Sequence, residues 1–67
     1  MTRNPVKSSM INSIGYDPDE MDLEIEFISG KTVTYHNVPV EVYYQLMETS
    51  SKGKFFHALI RDIYDYD

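Results

Sequence analysis

Cysteine is absent from these 67 residues, and so is tryptophan. Without cysteine there is no disulfide framework and no thiolate metal site, so a packed apolar core must hold the chain together. Glycine and proline are scarce, three of each, which limits where sharp turns can fall and excludes low-complexity structure. No run approaches the ~18 apolar residues of a membrane span. Residues 1–13 lack the apolar stretch of a signal peptide, so the expected location is cytoplasmic, with no membrane partner. Positive charge is short as well: six Lys and Arg stand against eleven Asp and Glu, a net charge of −5. Such a balance favours solubility and repels bulk polyanions.

Length sets a further bound. The chain is expected to be one domain over residues 1–67, with an ordered core from about 6 to 64 and short tails, the first of which, residues 1–7, can pair with the first strand at its end. A domain of this size buries only about 60% of the surface its unfolded chain exposes. Little core is left to line a deep substrate pocket. We therefore expect a binding module, not an enzyme, with no cofactor, acting as a monomer or weak homodimer.

Within these limits the sequence is clearly patterned. Met21, Leu23, Ile25 and Phe27 alternate with Asp22, Glu24 and Glu26, the period of two expected of a half-buried antiparallel strand. Residues 9–16 read as an earlier strand, closed by the polar turn Asp17-Pro18-Asp19-Glu20. A further strand over residues 31–36 follows Ser29-Gly30. Its register can be argued. A two-residue loop would pair Phe27 with Thr32 and strand Val33 and Tyr35 on the acidic face. A three-residue loop over residues 28–30 pairs Ile25 with Val33, Leu23 with Tyr35 and Glu24 with Thr34. It also puts Gly30 at the left-handed position such loops require. The second register is expected, because a one-residue slip would turn the strand's whole apolar set to water.

Pro39 then opens a helix in its first turn, where a missing N–H costs little. Val42, Tyr43, Leu46 and Met47 form its apolar stripe, with Glu41, Gln45 and Glu48 outside. Ser50 or Ser51 caps a second helix, whose stripe is Phe56, Leu59, Ile60 and Ile63. Arg61, Asp62 and His57 point away, and the acidic C-terminus frays. The expected fold is α+β, a three-stranded antiparallel sheet followed by two helices on one face (β-β-β-α-α).

Few residues carry chemistry. His36 and His57 lack a second ligand at helical spacing, and Asp17, Asp19, Glu20 and Asp22 lack the spacing, glycine and closing glutamate of an EF-hand. No nucleophile elbow is present. The best chemical feature is Ser51, Lys52, Gly53 and Lys54 at the start of the second helix, with Arg61 two to three turns on. Free N–H groups at a helix N-terminus, with lysines beside them, suit an anion. The full phosphate-loop pattern is missing. Six tyrosines could stack bases, but the expected register turns Tyr35 to the core and leaves an acidic outer sheet face that repels phosphate.

The ordered set Val6-Lys7-Ser8-Ser9, Ile14-Gly15-Tyr16-Asp17, Leu23, Phe27 and Gly30, then Tyr35 before Val38-Pro39, and Ser51-x-Gly53 ahead of Phe56, Ile60-Arg61 and Tyr64 resembles the KTSC domain. That family occurs at the C-terminus of some lysyl-tRNA synthetases and as a stand-alone bacterial and phage protein. The resemblance covers nearly the whole chain. The family's central Tyr-x-Tyr is represented by Val33-Thr34-Tyr35, with only the second tyrosine present, and Thr49 stands where the family tends to have alanine. The resemblance implies RNA as a partner, a role proposed for the family. The residues themselves leave a second reading open, a protein-interaction module using a tyrosine-rich helix surface.

Overall fold

Residues 2–67 are described by the computed structural model. The alternating segment forms β3 (Asp22–Phe27), a long strand with Leu23 and Ile25 fully buried on one face. Its neighbours are β2 (Ile11–Asp17) and β4 (Thr32–Tyr35). The β3–β4 register pairs Ile25 with Val33, Leu23 with Tyr35 and Glu24 with Thr34, as the burial argument requires. Gly30 closes the loop at φ 97°, a left-handed conformation open to glycine at no steric cost.

The sheet has four strands and not three, in the order β1-β2-β3-β4. The extra strand, β1 (Arg3–Pro5), is exposed throughout and pairs antiparallel with β2. Arg3 and Glu24 both lie opposite Gly15, from its two sides. Because glycine puts no side chain between them, the Arg3 guanidinium reaches across β2 and donates to Glu24 Oε1 at 2.8 Å. A surface ion pair of this kind adds only ~0–1 kcal/mol, so β1 is held mainly by its backbone pairing.

A β-bulge between Ile11 and Ser13 interrupts the β2–β3 register. The extra residue changes the parity of the strand. Ile11 and Ile14, three apart in sequence, are therefore both fully buried.

Two helices, α1 (Val40–Glu48) and α2 (Lys52–Leu59), complete the element order. Pro39 occupies the cap position before α1, one residue earlier than expected, with extended φ and ψ. The segment between β4 and α1 is fixed at Val38. Its N–H donates to the Met21 carbonyl at 2.9 Å, and its carbonyl accepts from the Tyr16 hydroxyl. The Tyr16 ring stacks on Tyr43 of α1, centroids 4.9 Å apart. Burial raises the Tyr16 pKa, helped by the nearby Glu41 carboxylate.

α2 stops at Leu59, short of the expected stripe. Phe56 and Ile60 enter the core, but Leu59 remains 46% exposed and Ile63 60% exposed. The C-terminus is ordered, contrary to the expected fraying. Residues 65–67 form a short strap along the outer edge of β4, bridging Tyr66 to Tyr35. None of the described helices is long and apolar enough to cross a membrane.

Candidate functional site

The junction between the helices decides what the start of α2 can bind. α1 ends at Thr49, whose extended backbone turns the chain away. The carbonyls of a helix C-terminus lack intrahelical donors and carry partial negative charge. Lys52 supplies a donor: its Nζ lies 2.7 Å from the Thr49 carbonyl and 3.2 Å from that of Met47. This lysine closes the end of α1. Ser51 stands at the cap position of α2, but neither it nor Ser50 makes the expected side-chain bond. The Ser51 N–H instead donates to Thr49 Oγ1 at 3.1 Å.

Gly53 and Lys54 follow within the first turn. A Cβ on Gly53 would sit 3.5 Å from Met10 Sδ, an ordinary packing distance, so this glycine faces the chain before β2 and not open solvent. That contact brings Met10, the last residue of the segment before β2, against the start of α2. Ser8 Oγ accepts from the Met10 and Ile11 N–H groups, both at 3.1 Å, and fixes the turn into β2. Lys7 and Lys54, one in each of the two segments, are exposed. Among the described residues neither has an ion-pair partner.

Arg61 is not brought to this cluster. It lies beyond the other end of α2, roughly 10 Å along the helix axis from Lys54 at 1.5 Å per residue. There its guanidinium approaches His57 Nδ1 at 3.4 Å and, with Lys31 and the carboxylate of Asp62, borders a cleft of about 310 Å³. The cleft is floored by Phe27, Val33, Tyr35 and Phe56 and flanked by Tyr66. The Phe56 ring meets Phe27 and Tyr35 edge-on, at 5.3 and 5.5 Å. Burial, and then the neighbouring Tyr66, raise the Tyr35 pKa. The residue pattern gave no sign of this cleft, since Lys31, Tyr66 and Phe56 come from three separated segments.

The outer sheet face carries Asp22, Glu24 and Glu26, each engaged. Glu26 Oε1 accepts from Asn12 Nδ2 at 2.8 Å and Ser13 Oγ at 2.9 Å. Those bonds hold its pKa below the ordinary carboxylate value. His36 bonds through Nδ1 to Asp22 and through Nε2 to Asp67, both at 2.8 Å. The Asp22 bond, then the Asp67 bond, raise its pKa. Among the described residues no group of three or more His, Asp or Glu side chains is placed to hold a metal ion. Of the helix tyrosines, Tyr43 is used against Tyr16, whereas Tyr44 is 59% exposed.

Comparison with known proteins places this geometry. An uncharacterized protein of Stutzerimonas stutzeri is 41% identical over 61 residues, covering 91% of this chain and 86% of its own. A lysine–tRNA ligase of Nostoc is 34% identical over 61 residues, 91% of this chain but only 11% of the ligase. The crystal structure of a KTSC domain protein from Yersinia pestis superposes with a TM-score of 0.96 at 42% identity, covering 98% of this chain and 93% of that one. The KTSC domain family model matches residues 7–64, and on that match the chain belongs to the KTSC domain family.

Proposed function

We propose that this protein is a non-catalytic binding module that engages single-stranded RNA weakly at the junction of residues 7–10 with the start of α2. The observation that carries this reading is the pair of exposed lysines, Lys7 and Lys54, without ion-pair partners among the described residues and carried by the two segments that meet at the Met10–Gly53 contact. The first turn of α2 belongs to the same junction, and an oxyanion at a helix N-terminus meets positive partial charge. The acids of Asp22, Glu24 and Glu26 lie on the other side of the sheet. Relatives named lysine–tRNA ligase carry this domain as a small part of a protein that handles RNA. Lys52, spent on α1, contributes less than its position suggests, and Arg61 would contact a different stretch of a longer ligand.

Two lysines neutralise about two phosphates, so the slope of log K against log salt for single strands should be near −1.4. Fluorescence anisotropy with a labelled single-stranded RNA at several low salt concentrations tests this. Lys7→Glu with Lys54→Glu should abolish binding. Binding that survives that double change, or that ignores salt, overturns the reading. The alternative of a protein-interaction module is favoured by exposed Tyr44 on α1 and by Leu59 and Ile63 at the end of α2. A discrete protein recovered from native lysate, lost on Tyr44→Ser, would support it.

A further inference from the structure

The open side of β4 is already occupied, and the manner of its occupation says what it accepts. β4 is the last strand of the sheet, so one row of its backbone groups has no partner strand. The strap of residues 65–67 takes up part of that row. The His36 N–H donates to the Asp65 carbonyl at 2.8 Å, the Asp67 N–H donates to the Thr34 carbonyl at 3.0 Å, and the Thr34 N–H donates back at 3.4 Å. Between these bonds Tyr66 lies opposite Tyr35 with ring centroids 5.6 Å apart, flanking the aromatic cleft. On the other face the Asp67 carboxylate meets His36 Nε2.

Each contact selects a different property. The backbone ladder selects an extended segment, the cleft an aromatic side chain, and His36 a carboxylate. An imidazolium can donate to Asp22 and Asp67 at once, whereas a neutral ring can donate to only one of them. We propose that the outer edge of β4 is a strand-addition site for an acidic, extended segment of a partner protein with an aromatic residue at its centre, and that residues 65–67 are its resident competitor. This surface is distinct from the lysine junction and goes beyond the RNA reading.

The resident fits loosely. Tyr66 stays 62% exposed, so most of its ring remains in water and the cleft of about 310 Å³ is incompletely filled. By the alternation that turns Thr34 and His36 outward, Thr32 presents the next outward pair of backbone groups, beyond the reach of Asp67. A partner segment that runs along the edge as far as Thr32 engages that pair, with Lys31 next to it. A second copy of the chain is a poorer occupant. Its strap is identical to one already tethered at an effective concentration on the order of millimolar, and gains nothing by exchange.

The test uses the full chain with Tyr66→Ala and Asp67→Ala, which empties the edge, and an acetylated peptide of sequence EDYDVE as the probe. Amide shifts at Thr32, Thr34 and His36 should saturate in this variant. The wild type should bind about tenfold more weakly if its strap leaves the edge free about a tenth of the time. Replacing the peptide's tyrosine with serine, or its acids with lysine, should remove the shifts. Asp67→Asn alone, a milder change, should give an intermediate affinity. No shift on β4 in either variant overturns the proposal, as does binding indifferent to the tyrosine. Self-association of the emptied variant with no peptide response would give the edge to a second copy and overturn the choice of partner. RNA binding at the lysine junction should be unchanged throughout, so the two readings fail separately.

Discussion

Ile25 lies at the middle of the sheet, paired with Ile14 on one side and Val33 on the other, and is fully buried. Truncating it to alanine removes three carbons from a site whose walls are two other strands, which cannot close in without breaking their own pairing. Ile→Ala changes at such sites cost about 2–5 kcal/mol. A chain of 67 residues has a total stability of roughly 3–10 kcal/mol. Its unfolding entropy of ~0.14 kcal/mol/K makes each kcal/mol worth about 7 °C. Ile25→Ala should therefore lower Tm by about 14–35 °C, and at the upper end leave the chain largely unfolded at room temperature. Ile63→Ala is the matched control, with the same atoms removed from a side chain 60% exposed. It should stay within about 0.5 kcal/mol of wild type. Thermal melts followed by circular dichroism, with urea titrations to check that the slope is unchanged, decide the matter. An Ile25→Ala protein melting within two or three degrees of wild type would refute the packing argument. So would an Ile63→Ala protein that loses as much.

Three further outcomes follow from the same contacts. Tyr16→Phe leaves the buried Val38 carbonyl without its hydroxyl donor and should cost about 1–3 kcal/mol, read as a lower urea midpoint; no change would show that water replaces the bond. Gly53→Ala adds a Cβ at ordinary distance from Met10 and removes a poor helix former, so Tm should rise by up to ~1 kcal/mol equivalent, and a fall would mean the first turn of α2 cannot take the side chain. His36 faces Asp22 from β3 and Asp67 from the strap, with Asp65 opposite it, and its pKa is raised above 6.5. A raised folded-state value means that its stabilisation is complete below 6.5 and is lost as pH climbs through the folded value. Tm should decline above that point in wild type and lose this component in His36→Gln, whereas parallel profiles for the two would show that the two hydrogen bonds to Asp22 and Asp67 contribute nothing.

The hairpin was legible because three independent signals agreed on it: period-two alternation, the apolar pairs on one face, and a glycine where the loop needs positive φ. β2 was harder to read, since strict alternation assigns Ile11 and Ile14 to opposite faces. The bulge at Asn12 reconciles them, and two isoleucines three apart in a strand are the trace it leaves. β1 left only the expectation that the end of the first tail can pair with the neighbouring strand, as it does, and the strap left no trace at all. Arg3-Asn4-Pro5 and Asp65-Tyr66-Asp67 have no apolar period, because backbone bonds and long-range polar contacts hold them. Hydrophobic patterning reports what is buried. An edge segment that buries little is invisible to it, so the expected sheet was one strand short and the C-terminus was expected to fray.

The same reasoning explains why the lysine cluster changed composition on folding. By sequence alone, Lys52 is the second of the four residues Ser51, Lys52, Gly53 and Lys54 that open a helix, and belongs with Lys54. Two helix ends meet at that point, however, and they attract opposite charges. The start of α2 carries positive partial charge and disfavours an ammonium, while the end of α1 offers carbonyls that lack donors. Lys52 takes the favourable pole and bonds to Met47 and Thr49. Lys54, two residues on, is past the reach of those carbonyls and stays in solvent. A lysine between consecutive helices is thus claimed first by the helix that ends. Of the lysines gathered at this junction, Lys7 and Lys54 are the ones the fold leaves to a ligand. Their small number is the reason any RNA held there must be held weakly.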